Sequence, residues 1–206
     1  MKQLALGISP PPQPTLDNFV PGANAELLAR LREFRAGTFG EAVLYLWGEA
    51  GSGKTHLLQA CAGPTVVDDV QTLDERAQIG LFNAINEVRQ SGGAVLAAGN
   101  APPAQLPLRE DLKSRLAWGL VYQVKPLTDE ERRIFLRGEA GRRGMPLADE
   151  VIAYLLTHMR RDLRSLTTVL DRLDRFSLET KRPITLPLVR EALAAPGPDD
   201  PGDRAC

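Results

Sequence analysis

Between Gly48 and Thr55 the chain reads GEAGSGKT, a G-x-x-x-x-G-K-T pattern. An apolar run, VLYLW at 43–47, stands before it, and a helical run, THLLQACA at 55–62, stands after it. This strand–loop–helix context suits phosphate chemistry. Gly48, Gly51 and Gly53, with Ser52 between the last two, let successive backbone N–H groups turn inward around phosphate oxygens. The helix start adds partial positive charge. Lys54 would reach the β- and γ-phosphates, and the Thr55 hydroxyl would hold Mg²⁺. His56 follows directly and is grouped with this site; no metal-ligand spacing links it to Cys61 or His158. The expected cofactors are ADP or ATP with Mg²⁺.

A second stretch, VVDDV at 66–70, supplies acids. Asp68 would bind Mg²⁺ through its water shell, because Mg²⁺ keeps few protein ligands. Asp69 would orient or activate a water; a turn-forming acid pair is the alternative. Asn100 follows a third apolar run, AVLAAG at 94–99, and could contact the γ-phosphate or that water, or simply end the strand. Arg115 lies on a short helix, REDLKSRLAWG, before the LVYQV run at 120–124. A planar guanidinium suits phosphate, and an arginine offered by a neighbouring subunit accelerates hydrolysis by roughly 10³–10⁵. Its alternative is a solvated surface pair. Arg164, in RRDLRSL at 160–166, could face back onto the nucleotide, whereas Arg160 and Arg161 read as solvated.

Two features depart from the usual arrangement. Asp68 stands only fourteen positions after Lys54, where P-loop proteins of this kind commonly insert another strand and helix. A parallel crossover needs roughly a dozen residues, so a shorter sheet can still close. Asp69 also occupies a place where vigorous ATPases of this type carry Glu.

The elements that must position these residues alternate. A helix is expected over 24–37, with Leu27, Leu28, Leu31 and Phe34 on one face, Asn24 as N-cap and Gly37 as stop. Strands are expected at 43–47, 65–70, 94–99 and 120–124, with a helix over 72–91 turning Leu81, Phe82, Ile85 and Val88 inward. After Pro126 only helices follow. Thr128 and Glu131 form a capping box, and helices lie near 149–159, 162–179 and 186–194. The fold class is therefore α/β: a P-loop three-layer core with a parallel sheet, shortened, plus a small all-helical lid. The boundaries are 1–14 (terminal peptide and Pro-rich spacer), 15–125 (α/β domain), 126–195 (lid) and 196–206 (disordered tail).

Composition agrees with a globular chain: 206 residues, 43% hydrophobic, 25% charged, net charge −1. That balance argues against a duplex-DNA binder, which would show a basic excess. No apolar run approaches a membrane span, and two distant cysteines, Cys61 and Cys206, favour a reducing compartment. A cytoplasmic location is the expectation.

Together these motifs resemble the DnaA/Hda family of AAA+ proteins, and its regulatory Hda branch more than the initiator branch. TLDNFVPGAN (15–24) is similar to the family segment that packs on adenine, which implies contacts from Phe19 and Val20. GEAGSGKTHLLQA (48–60) and VVDDV (66–70) resemble its Walker motifs. SRLAWGLVYQVKPLTDEE (114–131) resembles the arginine-finger segment, implying that Arg115 is the finger. RDLRSL (161–166) resembles sensor 2, implying Arg164, and Asn100 stands where sensor 1 falls, with a looser match. The likeness spans about 3–195, and the short segment before Asp68 puts the second strand of the family's sheet in question.

The resemblance carries functional expectations. The family's initiator has a DNA-binding domain after its lid, whereas this chain ends in an acidic tail, so DNA is expected to be contacted only indirectly. The regulatory branch carries a short Gln-Leu-x-Leu motif that docks on the DNA polymerase sliding clamp; here it is Gln3, Leu4 and Leu6, with Ile8 as a further anchor. Short extended peptides bind by main-chain pairing and side-chain pockets. The implied function is a regulatory AAA+ adaptor that binds the clamp, offers Arg115 in trans to ATP held by DnaA, and so limits re-initiation of replication. A finger used in trans implies nucleotide-bridged neighbours, self-association included. Two alternatives are a self-contained ATPase of helicase-loader type and a binding module in which nucleotide only stabilises the fold.

Overall fold

A computed structural model describes residues 13–63, 65–160 and 162–194. Gln3, Leu4, Leu6 and Ile8, and the tail 196–206, lie outside the described residues. The chain divides into two units, Met1–Pro126 and Leu127–Cys206.

In the first unit four strands form one parallel sheet: β1 (Val43–Trp47), β2 (Val66–Val67), β3 (Val95–Gly99) and β4 (Leu120–Gln123), in the order β2-β3-β1-β4. Val43 pairs with Val95 and Trp47 with Gly99, while Leu44 pairs with Leu120. Successive side chains of a strand face opposite ways, and the two faces bury different partners. Leu44, Leu46, Leu96 and Ala98 pack with Leu27, Leu31, Leu57 and Leu58 from α1 (Ala25–Ala36) and α2 (Lys54–Ala60). Val43, Tyr45, Val95 and Ala97 pack with Leu81, Ile85, Leu112 and Leu116 from α3 (Glu75–Ser91) and α4 (Glu110–Leu116). That is the expected three-layer core. It is short: α2 ends at Ala60 and β2 begins at Val66, with no strand between them among the described residues.

Three local expectations are corrected. The strand expected over 65–70 is only Val66–Val67, because Asp69 adopts left-handed backbone angles (φ 49°, ψ 47°) and a 3-10 turn over Val70–Thr72 follows. The helix expected from 72 starts at Glu75, since Asp74 caps it by accepting a hydrogen bond from the Ala77 amide at 2.8 Å. Asn24 precedes α1 without capping it. Its buried side chain instead donates to Lys125 O (2.9 Å) and accepts from Lys125 N (2.8 Å), pinning the end of β4 to the start of α1. Gly37 stops α1 as expected, at φ 70°.

The second unit contains α5 (Asp129–Arg142), α6 (Asp149–His158), α7 (Leu163–Thr180) and α8 (Leu186–Ala194). Thr128 and Glu131 close the capping box at the start of α5. Asp162 caps α7 by accepting from the Ser165 amide and hydroxyl, both at 2.8 Å. Leu136, Ile152, Leu155, Leu166, Leu170, Leu173 and Val189 form one core, with Leu163 and Phe176 packed against it.

Candidate functional site

The C-terminal end of β1 runs directly into the glycine loop. Gly51 and Gly53 have φ of 79° and 102°, a region costly for any side chain. A Cβ on Gly48 would meet the Val124 carbonyl at 2.7 Å, and one on Gly53 would meet Phe19 Cε2 at 2.8 Å. Glycine is therefore required by backbone angle and by space. Lys54 lies at the start of α2, where its ammonium donates to Gly48 O (2.7 Å) and Glu49 O (3.0 Å). Burial lowers its pKa, and the nearby Asp68 and Asp69 carboxylates partly restore it. Ser52 is buried, and its hydroxyl oxygen has no hydrogen-bond partner among the described residues.

Thr55 and Asp68 meet: Thr55 Oγ1 donates to Asp68 Oδ2 at 2.9 Å. The other Asp68 oxygen accepts from the Asp69 amide at 2.9 Å. One hydroxyl and one carboxylate are the kind of sparse oxygen set that Mg²⁺ takes together with waters and phosphate oxygens. The orphaned Ser52 hydroxyl and the inward glycine loop fit a phosphate chain equally well. The residues present therefore suit a Mg²⁺–nucleotide.

Two further expected residues flank this loop. The Phe19 ring lies 5.5 Å from the His56 ring, tilted by 55°. His56 Nε2 is 2.9 Å from Thr15 O, which ties α2 to the segment carrying Phe19. Beside Phe19 a hollow of about 260 Å³ is lined by Leu16, Asp17, Pro21, Ala25 and Leu28. Val20, next along, is half-buried.

Asn100 follows β3 and is exposed, with its amide donating to Gln71 Oε1 at 3.2 Å. Gln71 Nε2 donates in turn to Asp69 Oδ1 at 2.9 Å. Gln71 thus joins the two residues expected to act on a water, and sequence reasoning missed it. The available signal was its place two residues beyond the acid pair.

Arg115 stands elsewhere. Its guanidinium lies 3.5 Å from the Trp118 ring centroid and 5.0 Å from that of Phe82, and Nε donates to Asn86 Oδ1 at 3.0 Å. No hydrogen bond among the described residues takes up either Nη group. Trp118 borders a cavity with Phe39, Gly40, Ala42, Gly92 and Gly93, all at the N-terminal edge of the sheet. A Cβ on neighbouring Gly119 would overlap the carbonyl of Val43, the first residue of β1. Arg115 therefore occupies the edge opposite the glycine loop, which follows the last residue of β1. Trp118, Phe82 and Asn86 were not singled out as site residues in the sequence. Arg164 lies exposed in the first turn of α7, in the second unit. Among the described residues no helix is long and apolar enough to cross a membrane.

Comparison with known proteins agrees with this architecture. Residues 129–193 match the family model described as "Hda, lid domain". An uncharacterised protein of Haemophilus influenzae is 32% identical over 228 residues, covering 93% of this chain and 98% of that one. Domain III of the Thermotoga maritima replication initiation protein DnaA superposes with a TM-score of 0.71 at 23% identity, over 88% of this chain and 97% of that one. AMPPCP-bound DnaA from Aquifex aeolicus superposes with a TM-score of 0.65 at 24% identity, over 76% of this chain and 63% of that one. With its parallel P-loop core, helical lid unit and this degree of relatedness, the chain belongs to the Hda/DnaA-like AAA+ proteins.

Proposed function

We propose that this chain is a nucleotide-binding regulatory adaptor that inactivates the replication initiator DnaA. ADP or ATP with Mg²⁺ is held by the 48–55 loop, Thr55 and Asp68, with Phe19 and Val20 beside the base and Arg164 responding to bound nucleotide. Arg115 is offered to ATP held by DnaA, where it stabilises the charge that develops on the transferred phosphoryl group. Gln3, Leu4, Leu6 and Ile8 tether the chain to the DNA polymerase sliding clamp, so DNA is approached through the clamp.

One observation carries this reading. Arg115 lies at the sheet edge opposite its own glycine loop, with its Nη fork unbonded among the described residues. An arginine so placed is remote from phosphates bound in its own loop and is available to those of a neighbour. Stacking on Trp118 and the Nε bond to Asn86 leave the Nη fork of the guanidinium for bidentate contact.

The test mixes the protein with ATP-loaded DnaA, DNA-loaded clamp and ADP, and follows phosphate release. Stimulation should disappear with Arg115→Ala and with Gln3→Ala plus Leu4→Ala. Stimulation that survives Arg115→Ala removes the finger, and clamp binding that survives the tail substitutions removes the tether. The ordered contacts of Gln71 with Asp69 and Asn100 favour a second reading, a self-contained ATPase of helicase-loader type. Substantial ATP turnover by the chain alone would establish that one.

A further inference from the structure

The Gln71 amide is engaged at both ends. Nε2 donates to Asp69 Oδ1 at 2.9 Å, and Oε1 accepts from the Asn100 amide at 3.2 Å. This orientation is dictated by its neighbours, since a flipped amide would set its carbonyl against a carboxylate and its NH₂ against an N–H. The backbone is shaped for the contact. Gly99 lacks a Cβ that would otherwise stand 3.2 Å from Gln71 Oε1 and overlap the Tyr45 hydroxyl. Asp69 is held in its left-handed conformation by Thr72, whose amide and hydroxyl both donate to Asp69 O at 2.8 Å. Asp69 Oδ2 takes no hydrogen bond among the described residues. A continuous path of polar contacts therefore runs from Thr55 through Asp68, Asp69 and Gln71 to Asn100.

We propose that Gln71 is a positioning residue that fixes the free oxygen of Asp69 and the strand end carrying Asn100 relative to each other, so that the site distinguishes a nucleoside triphosphate from a diphosphate. This rests on the nucleotide site proposed above and on no other part of that reading. Asp69 and Asn100 would act at the terminal phosphate, and Gln71 would reach it only through them. A carboxylate free to rotate would sample orientations facing the phosphate charge. Held by Gln71, it presents one oxygen to a water and keeps the other occupied.

The test measures MgATP and MgADP affinity of the full chain by displacement of a fluorescent nucleotide, with folding followed by circular dichroism. Gln71→Ala should weaken ATP binding roughly tenfold, the scale of one hydrogen bond to a charged group, and change ADP binding less than twofold. Gln71→Glu keeps the acceptor for Asn100 but sets a second carboxylate against Asp69, so it should fall with Gln71→Ala. In an Asp69→Ala background, Gln71→Ala should cost less than it does in the wild type, because only the strand end carrying Asn100 is then left for it to position. Equal losses for ATP and ADP, unchanged affinities, a wild-type-like Gln71→Glu, or losses that add in full to those of Asp69→Ala would overturn the inference. A wild-type chain that binds neither nucleotide defeats the nucleotide site itself. One that binds both, with a ratio insensitive to Gln71, defeats this inference alone.

Discussion

The two units bury leucines alike but use their polar side chains differently. At the C-terminal sheet edge of the first unit, hydrogen bonds join residues from separate elements: Thr55 with Asp68, and Gln71 with Asn100. In the second unit, several ion pairs close within one helical turn, such as Arg133 with Glu130 and Arg142 with Glu139. Others cross exposed surface between elements, Arg137 of α5 to Asp149 of α6 and Arg182 of the α7–α8 connection to Glu191 of α8. Contacts of the first kind set where a functional group points. Those of the second kind trim helix surfaces and contribute little singly. The first unit should therefore lose chemistry when a polar residue is removed, and the second should lose stability mainly through its core and its caps.

The largest effects probe the cores. Gly119→Ala would force a Cβ into the Val43 carbonyl and should cost about 3 kcal/mol by displacing β4 from β1. Leu173→Ala should cost a similar amount, about 3 kcal/mol, through a cavity in the helical core. Urea denaturation separates them, because Trp47 and Trp118, the two tryptophans of the chain, both lie in the first unit. Fluorescence and circular dichroism should part for Leu173→Ala if the units unfold separately; coincident transitions would join them into one cooperative body.

Lys54→Ala comes next. Removing the ammonium that faces the loop carbonyls should weaken ADP binding about a hundredfold, or roughly 2.7 kcal/mol, as titration calorimetry would record. Unchanged affinity would end the division between a chemical first unit and a structural second one.

Thr128→Ala should cost about 1 kcal/mol by opening the capping box of α5. Hydrogen bonds from the Thr128 amide and hydroxyl hold the Glu131 pKa below its ordinary value. A depressed folded value contributes stability above the ordinary carboxylate pKa and loses it as pH falls through the folded one. The gap between wild type and Thr128→Ala in thermal melts should accordingly narrow on acidification. The smallest change is expected for Arg133→Ala, below about 0.5 kcal/mol, because its pair with Glu130 is a solvated one. A larger loss would show that the surface pairs of the second unit act as a network.

Much of this was legible from sequence because it follows from local rules. β1 needed only its apolar run, and α7 only its leucine spacing. The glycine loop was legible because φ values of 79° and 102° at Gly51 and Gly53 leave little choice of residue. The boundaries that moved were those set by side chains with two available partners. Asn24 could have capped α1, but it satisfies both backbone groups of Lys125 instead. Asp69 could have extended β2, but Thr72 holds it in a turn.

The sequence by itself determined the order of elements, the loop Gly48–Thr55, the acids Asp68 and Asp69 and the capping box of α5, because period, backbone angle and capping act within a few residues. Tertiary structure alone decided that Thr55 meets Asp68, that Gln71 spans Asp69 and Asn100, and that Arg115 stacks on Trp118 at the edge opposite its own loop. Those contacts depend on strand order and parallel register, which bring distant residues to one sheet edge or keep them at opposite ones.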